Sequence, residues 1–379
     1  MNLHTLCVHG SAKKYDSAGA ISVPIFQSAT FAHESLGRSS GFDYSRQQNP
    51  TREHLEITLA NLEGGLDALA FSSGMAAITA LMELFSPGDH IIASDDLYGG
   101  SHRLFSSVSV KNGLEFDFTD TSDVESVKRL IRPRTKAFFI ETPTNPMMRV
   151  TDIRLIAELA RNNDILTIVD NTFLTPALCR PLSLGADAVV HSGSKYLGGH
   201  NDALAGFLVV NDAGLSERLR YIYKTTGACL SPFDSWLIIR GIKTLAVRVS
   251  LQRANALKIA EWLKRHEKVE KIYYVGLPEH PGYEISKRQA EGFGAMISFQ
   301  VDSRRTAENL LSRVKIIQFA ESLGGVESLI TYPMTQTHAD LPEEEREKKG
   351  INDRLARLSV GIEDSDDLIE DLRQALEAE

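Results

Sequence analysis

Short apolar runs that alternate with helix-like stretches are the feature that most constrains the fold of this chain. From Leu66 onward the runs are ALAFSS, HIIAS, KAFFIET, LTIVDNT, ADAVVHS and AGFLVV, most of them separated by stretches such as DIRLIAELARNN. They lack the alternation of half-exposed strands, which predicts strands buried on both faces of a parallel sheet. We therefore expect an α/β domain that binds ligands at the carboxyl ends of its strands.

The segments on either side of these runs have a different character, and the 379 residues exceed one ordinary core. Residues 1–60 show weak periodicity and many small polar residues, which predicts an extended arm before an α/β domain at 61–240. After Arg240, the segment GIKTLAVRVSLQRANALKIAEWLKRHEKV is typical of one long helix. Two later segments, GAMISFQV and RLARLSVGIE, have the pattern of strands, and the final segment has the pattern of an amphipathic helix. We therefore expect residues 241–379 to form a smaller α+β domain.

Charge and cysteine content exclude several classes of partner. The formal net charge of −9 and the absence of a basic tail argue against nucleic acid as the partner. No apolar stretch reaches the length of a membrane span, and the first residues lack the apolar core of a signal peptide, so we expect no membrane association and a cytoplasmic location. Cys7, Cys179 and Cys229 are far apart, which indicates neither a disulfide framework nor a zinc site.

Polar residues collect where the predicted strands end. FSSGMAA places Ser73, Gly74 and Met75 at a strand-to-helix turn, where backbone N–H groups suit a phosphate, although an ordinary helix cap would have the same sequence. Asp170 follows four apolar residues and needs a cationic partner, either an arginine or a protonated heterocyclic nitrogen.

Lys195 lies between small residues in HSGSKYLGG, directly after another predicted strand. A solvent-exposed turn lysine is the simple alternative, just as turn chemistry explains Asn145 in ETPTNP and packing explains Tyr98 in DLYGG. Taken together, however, an anion-binding turn, a buried carboxylate and a lysine flanked by Ser192 and Ser194 are the parts that pyridoxal phosphate requires.

From His9 to the final helix, the chain resembles the Cys/Met-metabolism family of pyridoxal-phosphate (PLP) enzymes. The motifs are YSRQQNPTR, FSSGMAAI, DLYGG, ETPTNP, VDNTF, HSGSKYLGGHND, SPFDSWLIIRGIKTL, AESLGGVESL and RLSVGIED. The resemblance implies a fold-type I PLP-dependent transferase, with a mostly parallel central sheet and a smaller C-terminal α+β domain. The family more often has Ala-Thr at Gly193-Ser194, and we expect the serine hydroxyl to preserve phosphate binding.

The resemblance also implies roles for the cofactor residues. Lys195 would bind PLP covalently as a Schiff base and then move protons on the substrate, and Asp170 would pair with the pyridine nitrogen. Tyr98 would lie over the ring and act as an acid or base on the leaving group. The phosphate cradle would comprise Ser73, Gly74, Met75, Ser192 and Ser194.

Two further sets of residues follow from the resemblance. Tyr44 and Arg46 would reach the phosphate of a neighbouring subunit, within a homotetramer built from two active-site dimers. Arg357 would bind the substrate α-carboxylate through two hydrogen bonds. Asn145 would contact the ring or the substrate, and Glu321 and Ser322 would contact the substrate.

The choice among family reactions depends on few residues. Methionine γ-lyases typically carry a cysteine where this chain has Gly100, and β-lyases more often have an apolar or aromatic residue where it has Glu321. A carboxylate can orient the distal amine of a longer substrate, which favours γ-replacement of an O-acylhomoserine with cysteine to give cystathionine, a step of transsulfuration and methionine biosynthesis. γ-Lyase and β-lyase action on cystathionine and O-acylhomoserine sulfhydrylation stay open.

Two other classes of function fit the sequence poorly. A catalytically retired PLP-fold binding protein would usually lose the lysine or its aspartate, and both are present. A metal hydrolase that used His191, His200 and Asp202 would lack the HExxH spacing and a general-base glutamate. We therefore expect no metal centre and interpret His191 as a structural histidine.

Overall fold

The computed structural model describes residues 1–11, 13, 18–336, 339 and 343–378. The strands of its larger sheet are β1 (Asp67–Phe71), β2 (His90–Ser94), β3 (Glu115–Thr119), β4 (Thr135–Glu141), β5 (Leu166–Asp170), β6 (Ala188–Ser192) and β7 (Gly206–Val210). Within the described residues they are ordered β1-β7-β6-β5-β4-β2-β3. β7 is antiparallel to β1 and β6, and the other neighbours are parallel, so the predicted mostly parallel sheet is confirmed.

Helices cover both faces of this sheet. Leu55 packs with Ala70 in one buried cluster, whereas Leu81 packs with Leu69 in another, so neighbouring residues of β1 face different layers. The α-helices are α1 (Leu3–His9), α2 (Pro50–Glu63), α3 (Gly74–Met82), α4 (Gly99–Arg103), α5 (Val124–Arg129), α6 (Ile153–Arg161), α7 (Thr175–Leu178), α8 (Ala213–Thr226), α9 (Pro232–Ile242), α10 (Leu245–Leu263), α11 (Tyr283–Gln289), α12 (Arg304–Arg313), α13 (Glu343–Lys348) and α14 (Ser365–Glu377).

The C-terminal part of the chain forms a second, smaller sheet. Its strands are β8 (Val269–Tyr273), β9 (Met296–Val301), β10 (Gln318–Phe319), β11 (Leu329–Thr331) and β12 (Leu355–Ser359), in the order β10-β11-β12-β9-β8. All pairs except β10 with β11 are antiparallel. The sheet places β12, which carries Arg357, between two neighbours.

Local sequence explains where helices begin and end. The Asn49 side chain accepts hydrogen bonds from the N–H groups of Thr51 and Arg52, Pro50 occupies the first turn, and α2 ends at Gly64 with φ of 73°. α3 begins directly after β1 because the hydroxyl of Ser73 accepts the Ala76 N–H at 3.1 Å.

One expectation about secondary structure was wrong, and one strand was not predicted. The predicted single helix after Arg240 ends at Ile242 and restarts at Leu245 as α10, which stops at Leu263, and Val269 already belongs to β8. Near this break, Gly241 packs so closely that a Cβ on it would lie 2.1 Å from the Gly198 carbonyl oxygen. β3 escaped prediction because Phe116 and Phe118 alternate with acidic residues at the sheet edge, unlike the continuous apolar runs.

The final segment of the chain forms α14, the helix that its sequence pattern predicts. Within the charged segment PEEEREKKG, Glu343–Lys348 form α13, and Pro342 lies outside the described residues. Among the described residues, none of the helices is both long and apolar enough to cross a membrane. The division at residues 60 and 240 stays a prediction.

Candidate active site

A cavity of about 720 Å³ opens at the carboxyl ends of β4, β5 and β6 and extends to the smaller sheet. It brings together twelve of the fourteen residues that the sequence singled out, whereas Tyr44 and Arg46 do not line it. The twelve are Ser73, Gly74, Met75, Tyr98, Asn145, Asp170, Ser192, Ser194, Lys195, Glu321, Ser322 and Arg357.

Lys195 lies in the turn after β6 and extends into the cavity. Its Nζ donates a hydrogen bond to Ser322 Oγ at 2.8 Å. Burial and, to a smaller extent, the Arg357 charge lower the pKa of Lys195 to about 8, although the Glu321 carboxylate opposes the shift. A lysine with this pKa has a substantial fraction of free amine near neutral pH, as a Schiff-base nucleophile needs.

Asp170 ends β5 at the floor of the cavity. Its Oδ1 accepts the N–H of Thr172 at 3.0 Å, and burial raises its pKa although this hydrogen bond opposes the shift. A half-buried carboxylate with a raised pKa lacks full compensation for its charge, and a protonated ring nitrogen would supply it. This chemistry fits the pyridine nitrogen of PLP.

Sequence reasoning missed Glu141, which ends β4 directly beside Asp170 in the strand register. It is 6% exposed, lines the cavity and accepts the backbone N–H of Tyr98 on Oε2 at 2.9 Å. Burial, with Asp170 and Asp96 nearby, raises its pKa well above the usual value. The signal was available, because Glu141 follows the apolar run KAFFI just as Asp170 follows LTIV.

The first turn of α3 forms the side of the cavity where a phosphate fits. Gly74 and Met75 occupy the first two helical positions, whose N–H groups have no partner within the helix. The approach to Ser192 is close, because a Cβ on Gly74 would lie 3.2 Å from the Ser192 Cβ. Ser194 Oγ accepts the Ala205 N–H at 3.0 Å while also lining the cavity. The donors present fit a phosphate group.

Arg357 is buried on β12, with 1% of its surface exposed. Its Nη1 donates to Asn145 Oδ1 at 2.9 Å, and its Nη2 donates to the Ser322 carbonyl at 2.9 Å and to Thr331 Oγ1 at 3.1 Å. Nε is buried without a partner among the described residues. Burial lowers the pKa of Arg357 to about 10, which still leaves a cation near neutral pH. A ligand carboxylate is the natural partner for this group.

Tyr98 stands at the cavity mouth, where 44% of its surface is exposed. It precedes α4, and Gly100 packs against its ring so closely that a Cβ there would lie 2.5 Å from Tyr98 Cε1. Glu321 also lines the cavity and is exposed, on the side of the smaller sheet.

The arm residues lie elsewhere in the single chain. Arg46 is exposed and its Nη1 donates to the Lys224 carbonyl of α8, and Tyr44 forms a bridge with Thr30. Their predicted contact with the phosphate of a neighbouring subunit stays a prediction.

His191 lies in the core and not in the cavity. Its Nε2 hydrogen-bonds to Glu63 Oε1 at 2.6 Å, and both side chains are fully buried. Across the described ranges, no group of three or more His, Cys, Asp and Glu side chains is arranged to hold a metal ion.

Known proteins resemble this chain over its whole length. The Cys/Met metabolism PLP-dependent enzyme family matches residues 4–377. A cystathionine γ-lyase of Bacillus subtilis (strain 168) is 49% identical over 377 residues, which cover 100% of both chains. A cystathionine β-lyase of Lactococcus lactis subsp. cremoris (strain MG1363) is 47% identical over 376 residues, 99% of each.

A solved structure supports the same relationship. The cystathionine γ-synthase of Xanthomonas oryzae pv. oryzae in complex with cystathionine superposes with a TM-score of 0.96 at 41% identity, covering 99% of this chain and 98% of that one. The chain therefore belongs to the Cys/Met metabolism family of fold-type I PLP-dependent enzymes, and its cofactor is pyridoxal phosphate.

Proposed function

We propose that this chain catalyses γ-replacement, in which the sulfur of cysteine displaces the acyloxy group of an O-acylhomoserine to give cystathionine. The observation that carries the proposal is that one cavity contains Lys195, the buried Arg357 guanidinium and the exposed Glu321 carboxylate. A positive group and a negative group in the same cavity as the lysine suit an amino acid with an α-carboxylate and a distal ammonium. Cystathionine has both.

The proposed roles follow from the position of each side chain. Arg357 binds the α-carboxylate, and Asp170 holds the proton of the pyridine nitrogen. Ser73, Gly74, Met75, Ser192 and Ser194 hold the phosphate. When bound, PLP supplies an electron sink for negative charge on the substrate carbons.

Proton transfer is assigned to two side chains. Lys195 takes the proton from Cα and then one from Cβ, and its pKa of about 8 makes it an effective base near neutral pH. Tyr98 supplies a proton to the departing acyloxy oxygen. The Cγ–O bond breaks and a Cγ–S bond forms, so one cysteine enters and one carboxylic acid leaves.

γ-Elimination from cystathionine is the second candidate, because it uses the same side chains and the Bacillus subtilis relative is a γ-lyase with 49% identity. β-Elimination stays an alternative, since the Lactococcus relative is a β-lyase. We further propose a cytoplasmic homotetramer whose active-site dimers share Tyr44 and Arg46, for which the exposure of both residues leaves room.

Product analysis by mass spectrometry tests the proposal. The PLP-loaded protein receives cystathionine alone in one reaction and an O-acylhomoserine with cysteine in another. Formation of cystathionine in the second reaction with little loss in the first supports γ-replacement. Efficient cleavage to 2-oxobutyrate would identify a γ-lyase instead, and cleavage to pyruvate would identify a β-lyase and remove the argument from Glu321.

A further inference from the structure

The carboxyl groups of Glu141 and Asp170 lie at the ends of neighbouring strands at the floor of the cavity, and only Asp170 has an assigned role. Glu141 and Asp170 are register partners in the parallel pair β4–β5, so their side chains leave the same face of the sheet. Both line the cavity. Two carboxylates side by side in a buried site cannot both be ionised unless cations neutralise both charges.

The cations within reach do not suffice for two carboxylates. One positive charge belongs to the pyridine nitrogen in the proposed site, opposite Asp170. Arg357 lowers the pKa of Glu141, but the proposed site assigns the charge of Arg357 to the α-carboxylate of the substrate. Asp96 is a further buried carboxyl that disfavours a charge on Glu141.

The surroundings decide which member of the pair is uncharged. Asp170 is the more exposed of the two, and its Oδ1 accepts the Thr172 N–H. Glu141 is 6% exposed, and Asp170 and Asp96 both raise its pKa. Glu141 accepts the backbone N–H of Tyr98, and the carbonyl oxygen of a protonated carboxyl can fill this acceptor role. The bond favours the ionised form, but burial and the two neighbouring carboxyls outweigh it.

We propose that Glu141 is a positioning residue that, as an uncharged carboxylic acid, holds Tyr98 at the mouth of the active site while Asp170 carries the negative charge of the pair. The contact matters because Tyr98 precedes the short helix α4 without a side-chain cap, so few local bonds fix its position. The inference rests on the proposed placement of the cofactor beside Asp170 and Tyr98. It does not depend on which amino acid the enzyme converts.

Glu141→Gln and Glu141→Ala separate the two parts of the proposal. Glutamine is uncharged and keeps an acceptor for the Tyr98 N–H, whereas alanine removes the acceptor. The first readout is the pKa of the Schiff base between Lys195 and PLP, followed through its visible absorbance. Removing an ionised carboxylate from the cavity would lower that pKa by about 2 units, the usual effect of one neighbouring charge, whereas replacing a neutral acid leaves it unchanged.

The second readout is kcat with whichever amino acid the wild type converts fastest. We expect Glu141→Gln to keep kcat within about threefold and Glu141→Ala to lose about tenfold or more with PLP retained. Because Glu141 acts through Tyr98, Tyr98→Phe should cost less in the Glu141→Ala background than in the wild type. Glu158→Gln on the exposed face of α6 is the matched control.

Each outcome has one meaning. A Schiff-base pKa about 2 units lower in Glu141→Gln would show an ionised Glu141 and overturn the charge assignment. Full kcat in Glu141→Ala, or losses that simply add with those of Tyr98→Phe, would overturn the positioning role. A different product from the wild type would change the proposed reaction and leave this inference intact.

Discussion

The low pKa of Lys195 predicts how fast the apoprotein takes up its cofactor. Schiff-base formation requires the free amine, and the pKa of Lys195 is lowered to about 8 by burial and by Arg357. At about pH 7, a lysine with this pKa is about 10% unprotonated, whereas an ordinary lysine is about 0.03% unprotonated, a difference of about 300-fold. The rate constant for reconstitution should therefore rise about tenfold per pH unit only up to about pH 8 and then level off.

The assay mixes apoprotein with excess PLP across a pH series and follows the visible absorbance of the Schiff base. Glu321→Gln should move the plateau to lower pH, because the Glu321 carboxylate raises the pKa of Lys195. Glu83→Gln, on an exposed residue outside the cavity, should leave the profile unchanged. A rate that keeps climbing through about pH 10 would mean a solvent-like lysine and would refute the reasoning.

Four further predictions concern other parts of the molecule. Arg357→Lys should raise the KM of the amino-acid substrate by about tenfold to a hundredfold, because lysine cannot form the proposed pair of hydrogen bonds to the substrate α-carboxylate; Arg354→Lys is the control in steady-state kinetics. Gly100→Ala should lower kcat by about tenfold or more without loss of PLP, since its Cβ would displace the Tyr98 ring, whereas Gly214→Ala on α8 should not. Arg46→Ala should weaken PLP retention, and mixing it with Lys195→Ala should restore some activity in hybrid dimers; a lack of rescue would contradict a shared site. Burial raises the pKa of Asp96 to about 6, so its contribution to stability is present below about pH 4 and is lost as the pH rises through about 6; Asp96→Asn should flatten this part of the unfolding free energy, and an unchanged profile would contradict it.

The sequence predicted the sheet well where burial left an unambiguous pattern. Each of the six apolar runs became a strand because both faces of the larger sheet are covered, so no polar alternation interrupted the signal. The edge strand β3 does alternate between polar and apolar residues, and it was not predicted. The break before α10 lies within a segment whose helical pattern continues through it, so that pattern did not locate it.

The candidate site was predictable to a similar degree. Lys195, Asp170 and the turn at Ser73 follow recognisable strands, so topology alone brings them to one edge. The hydrogen-bond partners of Arg357 come from separate loops and strands, so no local sequence pattern predicts them. Glu141 was missed for another reason. It begins the motif ETPTNP, in which turn chemistry at Asn145 was a sufficient explanation for the polar residues.

Proton exchange in D₂O most directly tests the central claim, which is that Lys195 removes the Cα and Cβ protons that a reaction at Cγ requires. An amino acid without a leaving group, such as 2-aminobutyrate, is incubated with the PLP-loaded enzyme, and NMR follows deuterium incorporation at each carbon. The account predicts exchange at both Cα and Cβ, with both lost in Lys195→Ala. Exchange at Cα alone would contradict it, because γ-replacement and γ-elimination both require a proton to leave Cβ.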